Sequence, residues 1–108
     1  MSAGGNLDFE SIDWEDDQSD IRSRSLQALG QRWAIVEYEP GARREEWCTD
    51  GHRGYVVLGE IVYEFDDGSR PLAVSQAEAF YLAADTGHRG RNPGPATTRL
   101  FLIDDPAE

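Results

Sequence analysis

The chain has 108 residues, of which 39% are apolar, enough for one modest hydrophobic core and too few for two domains. Its 21 acidic residues outnumber 10 basic ones, all arginine, and the net charge of -11 disfavours binding to nucleic acid or anionic membranes. No stretch approaches roughly 18 consecutive apolar residues, so no transmembrane helix is predicted. No secretory signal is predicted either, because residues 1–10 lack a basic start and an apolar run.

The first part of the chain is predicted to be an acidic N-terminal arm over residues 1–20. Seven acidic residues fall within it, and aliphatic residues are few. From residue 21 the composition changes, and residues 21–108 are predicted to form a single β domain.

Short runs rich in β-branched and aromatic residues recur through this domain, each closed by Gly, Pro, Asn or Asp. This pattern is typical of strands joined by tight connections. It predicts an all-β sandwich or small barrel. The predicted strands are 21–30, 32–39, 54–59, 60–65, 78–82 and 97–104.

Few residues of this chain can bind a metal through nitrogen or sulfur. They are Cys48 and the two histidines, His52 and His88. Alternation along a strand would put Glu46 on the same face as Cys48, and a hairpin at the Asp-Gly turn would bring both towards His52. Carboxylate, thiolate and imidazole groups together suit a divalent ion such as zinc or iron, with nickel and copper as further options. The alternative is a packed cysteine with hydrogen-bonded histidines.

The segment WCTDGHRGYVVLGE, residues 47–60, resembles a variant first motif of the small single-domain cupins. That motif runs Gly, five residues, His-x-His, three or four residues, Glu, six residues, Gly. Gly41 and Gly59 match its ends, with an opening gap one residue short. His52 takes the place of the family's glutamate, Cys48 that of its second histidine, and Glu46 that of its first.

The second cupin motif ends His, three residues, Asn, which matches His88 and Asn92. The glycines and proline earlier in that motif are replaced here by Ala77, Ala83 and Asp85. The resemblance implies a cupin-like jelly-roll β-barrel that binds a divalent metal. The ligands it implies are Glu46, Cys48, His52 and His88.

The resemblance also implies a small-molecule substrate or ligand and a homodimer. One hypothesis is a metal-dependent oxygenase, isomerase or lyase acting inside the barrel, with no catalytic residue assigned. The alternative is a non-catalytic ligand-binding or structural dimeric barrel without metal. Because Cys48 is the single cysteine, no internal disulfide can form, and a cytoplasmic location is expected.

Overall fold

The computed structural model describes residues 3–105 and is all-β within them. Nine strands are present in this part of the chain. They are β1 (Glu15–Gln18), β2 (Ile21–Ala28), β3 (Gln31–Tyr38), β4 (His52–Leu58), β5 (Glu60–Phe65), β6 (Leu72–Ser75), β7 (Ala79–Leu82), β8 (His88–Arg91) and β9 (Thr98–Asp104).

The strands form two antiparallel sheets that share one core. The larger sheet has the order β1-β2-β3-β9-β4-β7, and the smaller has the order β6-β5-β8. Strand alternation sends one face of each sheet inward. The inward side chains form a single cluster that includes Val36 and Leu100 from the larger sheet and Ile61 and Val74 from the smaller.

The chain passes from one sheet to the other at Gly59, between β4 and β5. Its φ angle is 82°, in the left-handed region that glycine adopts at little cost. A Cβ atom at this position would lie 2.7 Å from Oγ1 of Thr98, so a larger residue has no room. This glycine lets β4 and β5 follow each other closely while they belong to different sheets.

All six predicted strands are present, with ends shifted by a few residues. Three strands were not predicted: β1, β6 and β8. β1 and β8 read EDDQ and HRGR and contain no apolar residue, so hydrophobic patterning could not detect them. β1 lies inside the segment that we expected to be an arm and pairs with β2.

The hairpin expected around Cys48 does not form. Residues 44–47 belong to no strand, and Cys48 instead makes an isolated bridge to His88 of β8. Its N–H donates to the His88 carbonyl at 2.9 Å, and the reverse hydrogen bond has the same length. No helix in residues 3–105 is long and apolar enough to cross a membrane.

Candidate metal centre

A cavity of about 570 Å³ opens between the two sheets. Val36 and Leu102 line it from the larger sheet, and Tyr63 and His88 line it from the smaller one. The irregular segment 44–50 supplies six further lining residues. The cavity is therefore apolar at one side and rich in polar side chains near the segment that carries Cys48.

Three of the four predicted ligands meet in this cavity. His52 begins β4 in the larger sheet, His88 begins β8 in the smaller sheet, and Cys48 lies in the segment before β4. One potential ligand atom from each lies within 4.8 Å of the other two. The fold therefore brings one sulfur and two imidazole nitrogens to one point from three separate parts of the chain.

His52 is held in a fixed orientation by Asp104 of β9. The two residues are direct cross-strand partners, and Nδ1 of His52 lies 2.7 Å from Oδ1 of Asp104. A carboxylate partner favours the proton on Nδ1 and leaves Nε2 directed at the Cys48 sulfur, 3.6 Å away. Burial acts to raise the pKa of Asp104, but the hydrogen bond and charge of His52, together with the charge and hydrogen bond of Arg32, outweigh burial and lower that pKa.

His88 is the most deeply buried member of the group. Only 3% of its surface is exposed, and its ring lies 5.0 Å from the His52 ring. Its Nδ1 atom is buried and has no hydrogen-bond partner in residues 3–105. Buried polar atoms are normally paired, so this nitrogen lacks a partner that a bound group could supply.

The electrostatics of the group favour a thiolate. Hydrogen bonding with His52, and next with His88, lowers the pKa of the Cys48 thiol to about 6 although burial opposes it. Burial also acts to lower the pKa of His52, but its hydrogen bonds with Asp104 and Cys48 outweigh burial and raise it to about 9. Cys48 is thus prepared as an anionic sulfur ligand, and a cation would displace the proton on His52.

The fourth predicted ligand, Glu46, lines the same cavity but lies outside this three-residue group. Its side chain is exposed, and its carboxylate makes no hydrogen bond or ion pair within residues 3–105. It is therefore free to change rotamer. The structure places Glu46 beside the group without bringing it into contact.

The arginines around the cavity are largely paired with acids. Arg44 contacts Asp17 at 2.8 Å, and Arg89 contacts Glu64 at 2.8 Å. Arg44 also donates from Nε to the hydroxyl of Tyr38 at 3.2 Å. These pairs leave little unbalanced positive charge at the cavity mouth.

Two residues of the site were not predicted from the sequence. Asp104 ends a predicted strand, but its contact with His52 depends on β9 pairing with β4, which follows from topology rather than local pattern. Tyr63 lies in the predicted strand 60–65, but the sequence did not show which face of that strand points inward. It lines the cavity, and burial raises its pKa well above 10.0.

The chain matches known proteins in three-dimensional structure rather than in sequence. No protein-family model matches the chain, and no curated protein sequence matches it. KdgF from Halomonas sp. superposes with a TM-score of 0.73 at 20% identity, over 97% of this chain and 96% of that one. An RmlC-like cupin from Shewanella frigidimarina gives 0.76 at 18% identity, over 97% and 94%.

The chain has the cupin fold. The predicted all-β, cupin-like architecture is therefore confirmed. Oxalate decarboxylase from Bacillus subtilis, described as having Mn(II) centres, matches with a TM-score of 0.74 and 17% identity, over 100% of this chain and 32% of that one. At these identities the likeness concerns the fold, and the chemistry has to be argued from this chain's own residues.

The Cys48, His52 and His88 group fits a transition metal. Sulfur and imidazole nitrogen are ligands that zinc, iron, nickel and copper accept, whereas magnesium and calcium prefer oxygen. The carboxylate behind His52 is a further feature of metal-binding histidines, and the buried Nδ1 of His88 has no partner among residues 3–105. The donor set present in this cavity therefore suits a divalent metal.

Proposed function

We propose that this protein is a metal-dependent cupin that holds a divalent ion through Cys48, His52 and His88 and acts on, or binds, a small molecule. The observation that carries the proposal is the convergence of these three donors within 4.8 Å. Glu46 is proposed as the fourth ligand, supported by its place in the cavity wall and its unpartnered carboxylate. Zinc and iron are the proposed metals, with nickel and copper as further options.

The chain's own residues have separate roles in this proposal. Asp104 orients His52 and favours the tautomer that leaves Nε2 available. Val36 and Leu102 supply an apolar wall that limits water around a bound molecule. A bound metal would supply Lewis-acid chemistry towards a carbonyl or other electron-rich group of that molecule.

The homodimer is also a proposal, supported by the outer face of the larger sheet. β7 is an edge strand of that sheet, and its Tyr81 is 78% exposed. Tyr55 and Val57 on the neighbouring β4 are exposed as well. A second copy would cover this edge and its apolar side chains. A Tyr81→Lys variant is expected to sediment as a monomer, whereas equal dimer formation by both proteins would contradict the proposed interface.

A cytoplasmic location is proposed on the chemistry of the site. The function requires Cys48 as a thiolate ligand, and a reducing compartment keeps such a thiol available. Small-molecule chemistry, rather than contact with nucleic acid or membranes, is proposed for a chain with a net charge of -11.

Elemental analysis tests the proposed metal site. The protein is purified without chelator, alongside Cys48→Ser, His88→Ala and Glu46→Gln. Near-stoichiometric zinc, iron, nickel or copper is expected in the wild type, with loss in the first two variants and weaker retention in the third. Glu45→Gln is the matched control, because it removes the same charge one residue away and should retain full metal. No metal in any preparation, and none taken up when offered, would contradict the proposal.

A further inference from the structure

Tyr63 is a buried tyrosine in the cavity wall that the proposed metal site does not use. Only 4% of its surface is exposed. Its ring packs against Phe80 at 5.3 Å between centroids and against the edge of His88 at 6.0 Å. The ring therefore has a clear packing role, and the hydroxyl needs a separate explanation.

The Tyr63 hydroxyl makes no hydrogen bond within residues 3–105. The contrast with Tyr38 is direct, since that buried hydroxyl accepts a hydrogen bond from Arg44. Tyr63 lines the cavity, so its hydroxyl is not sealed in the core, and phenylalanine would fill the same space without placing a polar atom there. The missing partner is therefore expected to come from a molecule inside the cavity.

The surroundings of Tyr63 indicate what kind of atom this partner presents. A Cβ atom on Gly90 would lie 3.0 Å from both the Tyr38 hydroxyl and the Tyr63 ring, so the two tyrosines stand side by side above a residue with no side chain. Arg44 lines the same cavity and has N–H groups beyond the two that bond Tyr38 and Asp17. The Tyr63 hydroxyl and the remaining Arg44 N–H groups therefore border the same cavity, which suits a ligand atom that accepts hydrogen bonds.

We infer that the Tyr63 hydroxyl donates a hydrogen bond to a carbonyl or carboxylate oxygen of the small molecule in the cavity, and so selects ligands that carry such an oxygen. The inference rests on the proposed function, because this molecule would lie between Tyr63 and the Cys48, His52 and His88 group. It assigns Tyr63 a role in ligand recognition in addition to packing. A neutral carbonyl oxygen and an anionic carboxylate oxygen both accept a hydrogen bond. The test distinguishes them by using one probe of each kind.

The test compares the wild type with Tyr63→Phe by NMR titration of the zinc-loaded protein with acetamide and, separately, with acetate. Loss of one hydrogen bond is expected to raise the Kd roughly tenfold for the probe that matches the natural oxygen. Tyr55→Phe, on the outward face of β4, is the matched control and should bind as the wild type does. The thermal unfolding midpoint distinguishes a structural role of the hydroxyl from a role in ligand binding. If the hydroxyl serves only ligand binding, the midpoint of Tyr63→Phe should equal or exceed that of the wild type.

Equal affinities of wild type and Tyr63→Phe for both probes would overturn the inference, as would the absence of probe binding in the wild type. The zinc content of each sample is measured, and the titration is repeated without metal. A wild type that binds a probe through Tyr63 but takes up no zinc would contradict the proposed metal function and support the role of Tyr63. Full zinc content with no effect of Tyr63→Phe on probe binding would support the proposed metal function and contradict the role of Tyr63.

Discussion

His52 and Asp104 face each other across β4 and β9, with Nδ1 of the histidine 2.7 Å from Oδ1 of the carboxylate. The pair lies 52 positions apart in the sequence and joins the beginning of one strand to the end of another. It fixes the imidazole so that Nε2 faces Cys48 and the cavity. The geometry of the candidate metal centre therefore depends on a residue that does not itself belong to the three-residue group.

Replacing Asp104 with asparagine should weaken metal binding while leaving the ligands in place. Loss of a carboxylate behind a metal-binding histidine typically costs about 10–100-fold in affinity, because the ring orientation and basicity change. The measurement is competition for zinc against a chelating dye. Asp105→Asn is the control, since Asp105 is more exposed and pairs with Arg53 instead. Equal affinities for both variants would show that Asp104 does not position His52.

The Cys48 thiol of the metal-free protein should titrate with a pKa of about 6. The thiolate is favoured above that pH because hydrogen bonding with His52, and next with His88, stabilises the anion. The ultraviolet absorbance of the thiolate, followed against pH, reports the midpoint. In His52→Ala the midpoint should move up towards the ordinary value of 9.0. A wild-type midpoint already near 9.0 would mean that the Cys48 and His52 side chains do not interact in solution.

Acid should destabilise the fold through Glu37. Burial acts to raise the pKa of this carboxyl, but hydrogen bonds from Arg22 and Arg99 outweigh it and hold the pKa below 4.5. A lowered folded pKa means that the stabilisation is complete above the unfolded pKa and is lost as the pH falls through the folded pKa.

Glu37→Gln should lower the free energy of unfolding by about 1 kcal/mol at neutral pH, since the arginines are half-exposed, and should flatten its acid dependence. Denaturant unfolding between neutral pH and pH 4 provides the measurement. The exposed Glu39→Gln should retain the wild-type profile. An unaltered profile in Glu37→Gln would place the acid sensitivity elsewhere.

Adding a methyl group at Gly54 should disturb the core behind the cavity. A Cβ atom there would lie 2.7 Å from Cδ2 of Leu102 and still closer to the Phe80 ring. Overpacking of this kind costs about 1–3 kcal/mol, which urea unfolding of Gly54→Ala measures. Gly5→Ala is the control, because a Cβ at Gly5 meets nothing within 4 Å. An unchanged unfolding midpoint in Gly54→Ala would show that the packing here is looser than described.

The sequence predicted the parts of the fold that local pattern controls. Short runs of β-branched and aromatic residues located β3 and β9, because such side chains pack well on a sheet that covers a core. β8 was not predicted because its inward residues are His88 and Gly90, which hydrophobic patterning does not mark. Gly90 has no side chain and so leaves room for Tyr38 and Tyr63. Polar short strands of this kind are recognisable only once their neighbours are known.

The candidate site was predictable to the extent that rare residue types marked it. Cys48, His52 and His88 were identified because no other residue offers a thiol or imidazole. Asp104 could not be distinguished from the many other acids, since its importance comes from pairing between strands distant in sequence. Tyr63 was likewise one of four tyrosines until the direction of β5 was known.

Titration of the metal-free protein with cobalt(II) tests the central claim most directly, because it reports the bound metal and its sulfur ligand together. We predict intense thiolate-to-cobalt absorption that reaches a plateau at one equivalent, is absent in Cys48→Ser, and is absent or shifted in His88→Ala. Full absorption in Glu45→Gln would show that the loss is specific. No such absorption in the wild type, or the same absorption in Cys48→Ser, would contradict a metal centre built on Cys48, His52 and His88.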